Sequence, residues 1–219
     1  MRVSLSKLYS CLDRDGLGYD NIFKMAFYDD DIKIKMREIL SCFGFEECVK
    51  CFGGTEGYKR EFILFAIWNL RLSKHLIIDK RLWDVFLKLE QYANSYTSEE
   101  LREYYSNYHL RMMHYEAMDA TEEIFKKIED LRLKILEMRD KKEKSEKEQK
   151  DYNEIMLSRE SAILELSVAE RIVYIMAYKP KFAAQKCAST ARNEDKENET
   201  INEFKRLLDC IESDETYNI

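Results

Sequence analysis

Three cysteines in the first quarter of the chain have a spacing that could hold a metal ion. Cys48 and Cys51 form a Cys-x-x-Cys pair and Cys42 lies six residues upstream, which can place thiolates on a tetrahedral zinc ion. A fourth ligand is not evident, because a second Cys-x-x-Cys pair and a zinc-binding histidine pair are both absent. The pattern of residues 45–52 also predicts a short helix that buries Phe45, Cys48 and Phe52. We therefore expect reduced structural thiols and no metal or other cofactor, with a helical metal-binding protein as an alternative.

Histidine and serine chemistry is equally limited. His109 and His114 are five residues apart on a predicted helix. Five residues turn a helix by about 500°, which leaves the two side chains roughly 140° apart. The Glu-x-x-His and His-Glu-x-x-His patterns of helical metal enzymes are absent, and so is the Gly-x-Ser-x-Gly turn that exposes a nucleophilic serine. We expect no enzymatic activity and no catalytic residue.

The remaining candidate is an acidic surface that also carries tyrosines, in residues 99–130. This range contains nine acidic and four basic side chains. Negative charge steers a basic partner toward such a surface, and tyrosine rings supply contact area. A solvated helix face is the alternative interpretation. The predicted partner-binding residues are Glu99, Glu100, Glu103, Tyr104, Tyr108, Tyr115, Asp119, Glu122 and Glu123.

The distribution of helix-breaking residues indicates the elements that position this surface. The chain has 219 residues, one proline and six glycines, and all the glycines lie between residues 16 and 57. Sandwiches, barrels, Rossmann folds and P-loop enzymes need turns throughout their length, so this distribution excludes them. We predict an all-α, single-domain bundle of six to eight helices.

Within that bundle we predict two central apolar helices, at residues 58–72 and 163–178, and a long helical hairpin. Residues 1–57 form an irregular part with short helices near 21–42 and 45–52, packed on the bundle of residues 58–219 as one domain overall. Residues 140–150 contain no apolar side chain. They form either a charged hairpin tip or an exposed helical extension.

A row of apolar residues in the predicted hairpin leaves a second function open. The row has spacings of four, three, four and three residues, which suits an antiparallel helix pair as well as a coiled coil. A structural or adaptor protein that pairs with a second copy through this seam is therefore an alternative, and a homodimer is one form of it. The seam consists of Ile124, Ile128, Leu131, Ile135 and Met138.

Charge and hydropathy exclude several partners. The 36 basic and 42 acidic residues give a net charge of -6, the wrong sign for sequence-independent binding of nucleic acid. The N-terminal residues lack the apolar run of a signal peptide, and no run approaches the roughly 20 residues that span a bilayer. We expect a cytoplasmic protein with no nucleic acid or membrane partner. Residues 193–219 hold nine acidic and three basic side chains, which suggests a solvated or partner-facing end.

Residues 58–89 contain the stretch from Phe65 to Leu76, followed by Asp-Lys-Arg-Leu-Trp at 79–83. Together with residues 161–188, this order of helices resembles the all-α predicted immunity proteins of bacterial polymorphic toxin systems. The chain has less alanine than that family, lacks its proline after Arg81, and would carry residues 140–150 as an insertion. The resemblance implies a cytoplasmic protein that binds and neutralises one toxin domain, and a basic toxin would match the acidic surface.

Overall fold

A computed structural model describes residues 1–4, 8, 33–55, 59–93, 108–139, 145–177, 180–193, 196–213 and 215–219. Within these ranges the protein has seven α-helices and one small sheet, which confirms the predicted all-α bundle of six to eight helices. Two short 3-10 helices, Cys51–Gly54 and Lys74–Leu76, connect some of them. The α-helices are α1 (Met36–Lys50), α2 (Lys59–Leu72), α3 (Lys80–Ala93), α4 (Tyr108–Arg139), α5 (Glu146–Met176), α6 (Pro180–Asn193) and α7 (Glu197–Glu212).

Helix α2 is the centre of the bundle, as the sequence predicts. Every residue from 62 to 67 is buried, so α2 must have neighbours on all sides. It packs against α3, α5, α6 and α7. Phe52, Phe65 and Phe204 form an aromatic cluster around it, with ring centroids 5.0 to 6.2 Å apart. These contacts join the N-terminal part, α2 and α7 into one core.

The second predicted core helix is the C-terminal half of α5. Its buried residues begin at Ala162, whereas no residue from 146 to 161 is buried. The helix begins after Ser145, where the Glu148 amide donates to the serine Oγ (3.3 Å) and the Ser145 amide donates to the Glu148 carboxylate (3.0 Å). This reciprocal capping favours a helix start far from the core. Residues 146–150 are thus an exposed helical extension, and 140–144 lie outside the described residues.

Helices α4 and α5 form the predicted long hairpin. They have 32 and 31 residues, so each is about 48 Å long at 1.5 Å per residue. The two helices pack along each other, and of the predicted seam Ile124 and Ile128 are buried while Leu131, Ile135 and Met138 are half-buried. The seam therefore serves an antiparallel pair within the chain.

The N-terminal part contains a small sheet that the sequence does not predict. Arg2–Ser4 pairs antiparallel with Lys33–Lys35, and Val3 lies opposite Ile34. The described part of the helix predicted at 21–42 therefore begins with a strand, and residues 21–32 lie outside the description. Helix α1 is interrupted at Gly44, whose φ of 85° favours glycine. This interruption falls between the two short helices predicted for this part.

The acidic C-terminal end is anchored on the bundle through one face, while acidic side chains such as Glu199, Asp209 and Glu212 are exposed, as expected of a solvated or partner-facing end. Tyr217 is buried, and its hydroxyl donates to Glu203 at 2.6 Å. Arg60 of α2 donates to the Tyr217 carbonyl oxygen at 2.7 Å, and the Arg206 guanidinium lies 4.7 Å from the ring centroid. Burial raises the pKa of Tyr217, so the phenol stays protonated and can keep donating.

Candidate functional site

Helix α4 carries a row of large exposed side chains on the face turned away from its seam. Tyr115, Met118 and Phe125 are 60%, 46% and 56% exposed, and the exposed Glu122 lies between the last two. Spacings of three, four and three residues keep these four side chains on one face of a helix, roughly 140° around it from the seam. We call these four residues the outer stripe.

The surroundings of the outer stripe are acidic. From residue 111 to residue 129 five acidic side chains accompany three basic ones, Arg111, Lys126 and Lys127. Glu116 and Asp119 are exposed beside the stripe. Burial lowers the pKa of His114, although a hydrogen bond with the backbone of Met176 opposes the shift. The imidazole therefore adds no positive charge at neutral pH, and the face remains negative.

The structure places some of the predicted partner-binding residues on this face. Tyr115, Asp119 and Glu122 are all exposed on α4. Tyr108 is the first residue of α4, and its side chain is not described. The other predicted residues N-terminal to it lie outside the described part of the chain; they are Glu99, Glu100, Glu103 and Tyr104.

Glu123 has a role inside the chain. The two terminal nitrogens of Arg81 donate to its two carboxylate oxygens at 3.1 and 2.6 Å. Arg81 also donates to Asp79 at 2.7 and 3.1 Å. Hydrogen bonds from Arg81 lower the pKa of both carboxyl groups, so both stay ionised. Glu123 thereby ties α4 to the start of α3. The outer stripe lies on the neighbouring face of α4.

A buried polar group in α5 also holds the start of α3. One carboxylate oxygen of Glu165 accepts hydrogen bonds from the backbone amides of Ile78 and Asp79, at 3.0 and 2.7 Å. These amides precede the first turn of α3, so the carboxylate acts as a cap supplied by another helix. Nearby, the fully buried Arg171 donates to the Ser73 hydroxyl at 3.2 Å. The end of α2 and the start of α3 are therefore both held by hydrogen bonds from buried side chains of α5.

The cysteines that could bind a metal have different surroundings. Cys48 and Cys51 are fully buried, whereas Cys42 is exposed. The Cys48 thiol donates to the Met36 carbonyl oxygen at 3.6 Å, and burial raises its pKa to about 12. A protonated thiol does not suit metal binding, which needs the thiolate. In the described ranges no three His, Cys, Asp or Glu side chains are grouped to hold a metal ion.

Comparisons with known proteins add no relative: no family model, curated protein or solved structure matches the chain. The likeness to toxin immunity proteins thus stays a prediction from the sequence. In the part of the chain that the structure describes, every helix is too short or too polar to cross a membrane.

Sequence reasoning missed two residues of the outer stripe, Met118 and Phe125. It selected acidic and tyrosine side chains by type, and so passed over the neighbouring apolar ones. The signal was present in the spacing, because Tyr115, Met118, Glu122 and Phe125 follow the same helical repeat as the seam. Helix α4 packs against α5 and α3, and this second row is left exposed by both.

Proposed function

We propose that the protein is a non-enzymatic binding protein that holds a basic protein partner on the outer stripe of α4. The observation that carries this proposal is the exposed row of Tyr115, Met118 and Phe125 beside acidic side chains. Single exposed apolar residues are ordinary, but a row at helical spacing is typical of surfaces that pair with another helix or groove.

The stripe can supply both affinity and selectivity. Fully burying an exposed large apolar side chain contributes about 1.5–3 kcal/mol. The three apolar members, which are about half exposed, would each add part of that to the binding free energy. Asp119 and Glu122 would attract basic side chains and repel acidic ones, which favours one class of partner. The neighbouring face of α4 is packed and tied to α3 through Glu123. Binding would therefore require little ordering of the stripe.

The resemblance to immunity proteins suggests the kind of partner. A protein of that kind binds one toxin domain and blocks it, and a basic toxin such as a nuclease would match the acidic face. On this proposal the protein acts in the cytoplasm, where such a toxin would do its damage. Residues 99–104, which precede α4 in the sequence, contain three acidic side chains and one basic side chain.

The test is capture of the partner at low salt with three forms of the protein. The double variant Met118→Ala/Phe125→Ala removes apolar area from the stripe. Leu87→Ala is the matched control, because Leu87 is a similarly exposed apolar residue on α3. We expect the wild type and the control to retain the same basic protein, and the double variant to lose at least about 90% of it.

A charge variant makes the test more specific. Asp119→Lys/Glu122→Lys should abolish capture, while Glu137→Lys, on the same helix but outside the stripe, should have little effect. Added salt should weaken the wild-type complex, because exposed charges are screened. A partner that both stripe variants retain at wild-type level would contradict the proposal.

Toxin neutralisation is tested separately once a partner is in hand. We expect expression of the partner alone to stop bacterial growth, and coexpression of the wild type to restore it. The stripe variants should fail to restore growth. A partner that is harmless when expressed alone would refute the immunity function and leave the binding surface itself intact.

A further inference from the structure

The last residues of the chain form an extended segment that lies outside the described helices. We call residues 215–219 the tail. Helix α7 ends at Glu212, and the tail turns back along it, with the Glu215 amide donating to the Cys210 carbonyl oxygen at 2.8 Å. Of the five tail residues only Tyr217 is buried. One tyrosine thus anchors the whole segment.

Three side chains from two helices hold the tail. The Tyr217 hydroxyl donates to Glu203 at 2.6 Å, and the Arg206 guanidinium lies 4.7 Å from the tyrosine ring centroid. Arg60 of α2 donates to the Tyr217 carbonyl oxygen at 2.7 Å and to the Asn218 side-chain oxygen at 3.1 Å. Arg206 also donates to the Asn218 carbonyl oxygen, at 2.7 Å. We call Arg60, Glu203 and Arg206 the tail site.

The helices hold the tail site in place without help from the tail. Two Arg206 nitrogens donate to Glu203 at 2.5 to 3.1 Å, so the carboxylate is oriented before a hydroxyl reaches it. Helices α2 and α7 also pack directly on each other, with the ring centroids of Phe65 and Phe204 5.6 Å apart. A site with fixed walls can exchange its occupant at little cost in reorganisation.

We propose that the tail site binds extended protein segments that carry a tyrosine, and that the tail is a replaceable ligand of this site. Hydrogen bonds to the main chain give affinity for an extended segment, and a side-chain pocket gives selectivity. Here two arginines contact main-chain carbonyl oxygens, and the buried tyrosine reaches a carboxylate. A phenylalanine would leave that carboxylate without this donor, whereas a tyrosine supplies it.

The short connection to α7 keeps the tail bound when no competitor is present. A ligand on a short linker has an effective concentration on the order of millimolar. A partner segment must therefore bind the site more tightly than the tail does in order to displace it. The tail site is separate from the outer stripe of α4, so it can bind a ligand whether or not the outer stripe binds a partner.

The experiment measures binding of a fluorescent peptide of residues 213–219, Ser-Asp-Glu-Thr-Tyr-Asn-Ile, to the full chain by fluorescence anisotropy. Tyr217→Ala removes the anchor and leaves a cavity that the tyrosine of the peptide can fill. We expect this variant to bind the peptide at least about tenfold more tightly than the wild type, whose own tail occupies the site. A peptide with phenylalanine in place of tyrosine should bind more weakly, and one with alanine should not bind.

Leu208→Ala is the matched control, because it also removes a large buried side chain, from α7, but leaves the tail unchanged. It should bind the peptide no better than the wild type.

Tyr217→Phe makes the smallest change, since it keeps the ring and loses only the hydrogen bond to Glu203. It should show wild-type helix content by circular dichroism and bind the tyrosine peptide with intermediate affinity. The peptide should also raise the urea midpoint of Tyr217→Ala and leave that of the wild type unchanged. The proposal is overturned if neither Tyr217 variant binds the peptide more tightly than the wild type does, or if the alanine peptide binds equally well.

Discussion

The two halves of the α4–α5 hairpin use the same helical pattern in different ways. At the base, Ala117 and Ala120 of α4 and Ile172 of α5 are fully buried, because α2 and α3 also pack against the hairpin there. In the outer half of the hairpin, residues 126–139 of α4 and 146–160 of α5, which we call the tip half, Ile135 is only half-buried and Leu157 is exposed. Apolar periodicity therefore determines which face of a helix is inward. How completely that face is buried depends in addition on how many other helices pack against it at that position along the hairpin.

This difference indicates that the two halves of the hairpin have different roles. The base contributes to the core and carries the buried hydrogen bonds of Glu165 and Arg171. The tip half, at more than 20 Å per helix, buries too little area to stabilise the fold substantially. We therefore expect substitutions at the base to change the free energy of unfolding strongly, and substitutions at the tip to change it little.

The largest expected effect comes from removing the same side chain at the two levels. Ile172→Ala at the base should lower the free energy of unfolding by about 2–5 kcal/mol, because it leaves a cavity in a packed core. Ile135→Ala at the tip should lower it by less than about 1.5 kcal/mol, since that side chain is half-exposed already. Urea unfolding followed by circular dichroism measures both values.

The control for this comparison is a dilute sample, in which any dimer has dissociated. A dimer would add the stability of association to the tip substitution and hide the difference. Equal losses at Ile172 and Ile135 in dilute protein would show that the tip folds cooperatively with the base. In that case the inference that the base and the tip half have different roles would be wrong.

The cap that α5 supplies to α3 gives the second prediction. Glu165→Ala leaves the amides of Ile78 and Asp79 without their acceptor, and should cost about 1–3 kcal/mol of unfolding free energy. Glu165→Gln keeps an oxygen at the site and should cost clearly less. Glu160→Ala is the tip control, because Glu160 is exposed on the same helix, and should stay within about 0.5 kcal/mol of wild type. A glutamine variant as unstable as the alanine variant would show that the carboxylate charge, and not the acceptor, matters.

The sequence predicted the helices well because their apolar repeats are long. The core helix predicted at 58–72 is observed at Lys59–Leu72, and the one proline of the chain, Pro180, begins α6 shortly after α5 ends at Met176. Proline fits the first turn of a helix, so Pro180 marks both the end of the α5 region and the start of α6. The small sheet was missed because strands of three residues, Arg2–Ser4 and Lys33–Lys35, are too short to show alternation.

The candidate site was predictable in part, for a reason of the same kind. The acidic residues Asp119 and Glu122 are exposed on α4, and helical periodicity can indicate this. That Glu123 contacts Arg81 could not be predicted, because the pair joins two helices 42 residues apart in the chain. Long-range pairs depend on how helices cross, and a single sequence contains little information about crossing.

The smallest effect concerns the ion pair between Asp79 and Arg81 at the start of α3, and it depends on pH. Arg81 holds the pKa of Asp79 below its ordinary 3.8, so the folded protein binds fewer protons there than the unfolded chain does. The resulting stability is present above pH 3.8 and is lost as the pH falls through the lowered pKa. In the wild type, the backbone amide of Arg81 donates a hydrogen bond to the Asp79 carboxylate at 2.8 Å. Asp79→Asn keeps a side-chain oxygen as the acceptor and removes only the charge.

We therefore expect Asp79→Asn to be less stable than wild type by under about 1 kcal/mol at neutral pH, because the ion pair is partly exposed. The difference should vanish in acid, as measured by urea unfolding across the acid range. Glu154→Gln, which removes an exposed ion pair with Lys150 in the tip half, should show no such dependence. If the Asp79→Asn difference persisted in acid, the variant would be acting through the helix cap and not through the charge of the Asp79–Arg81 pair.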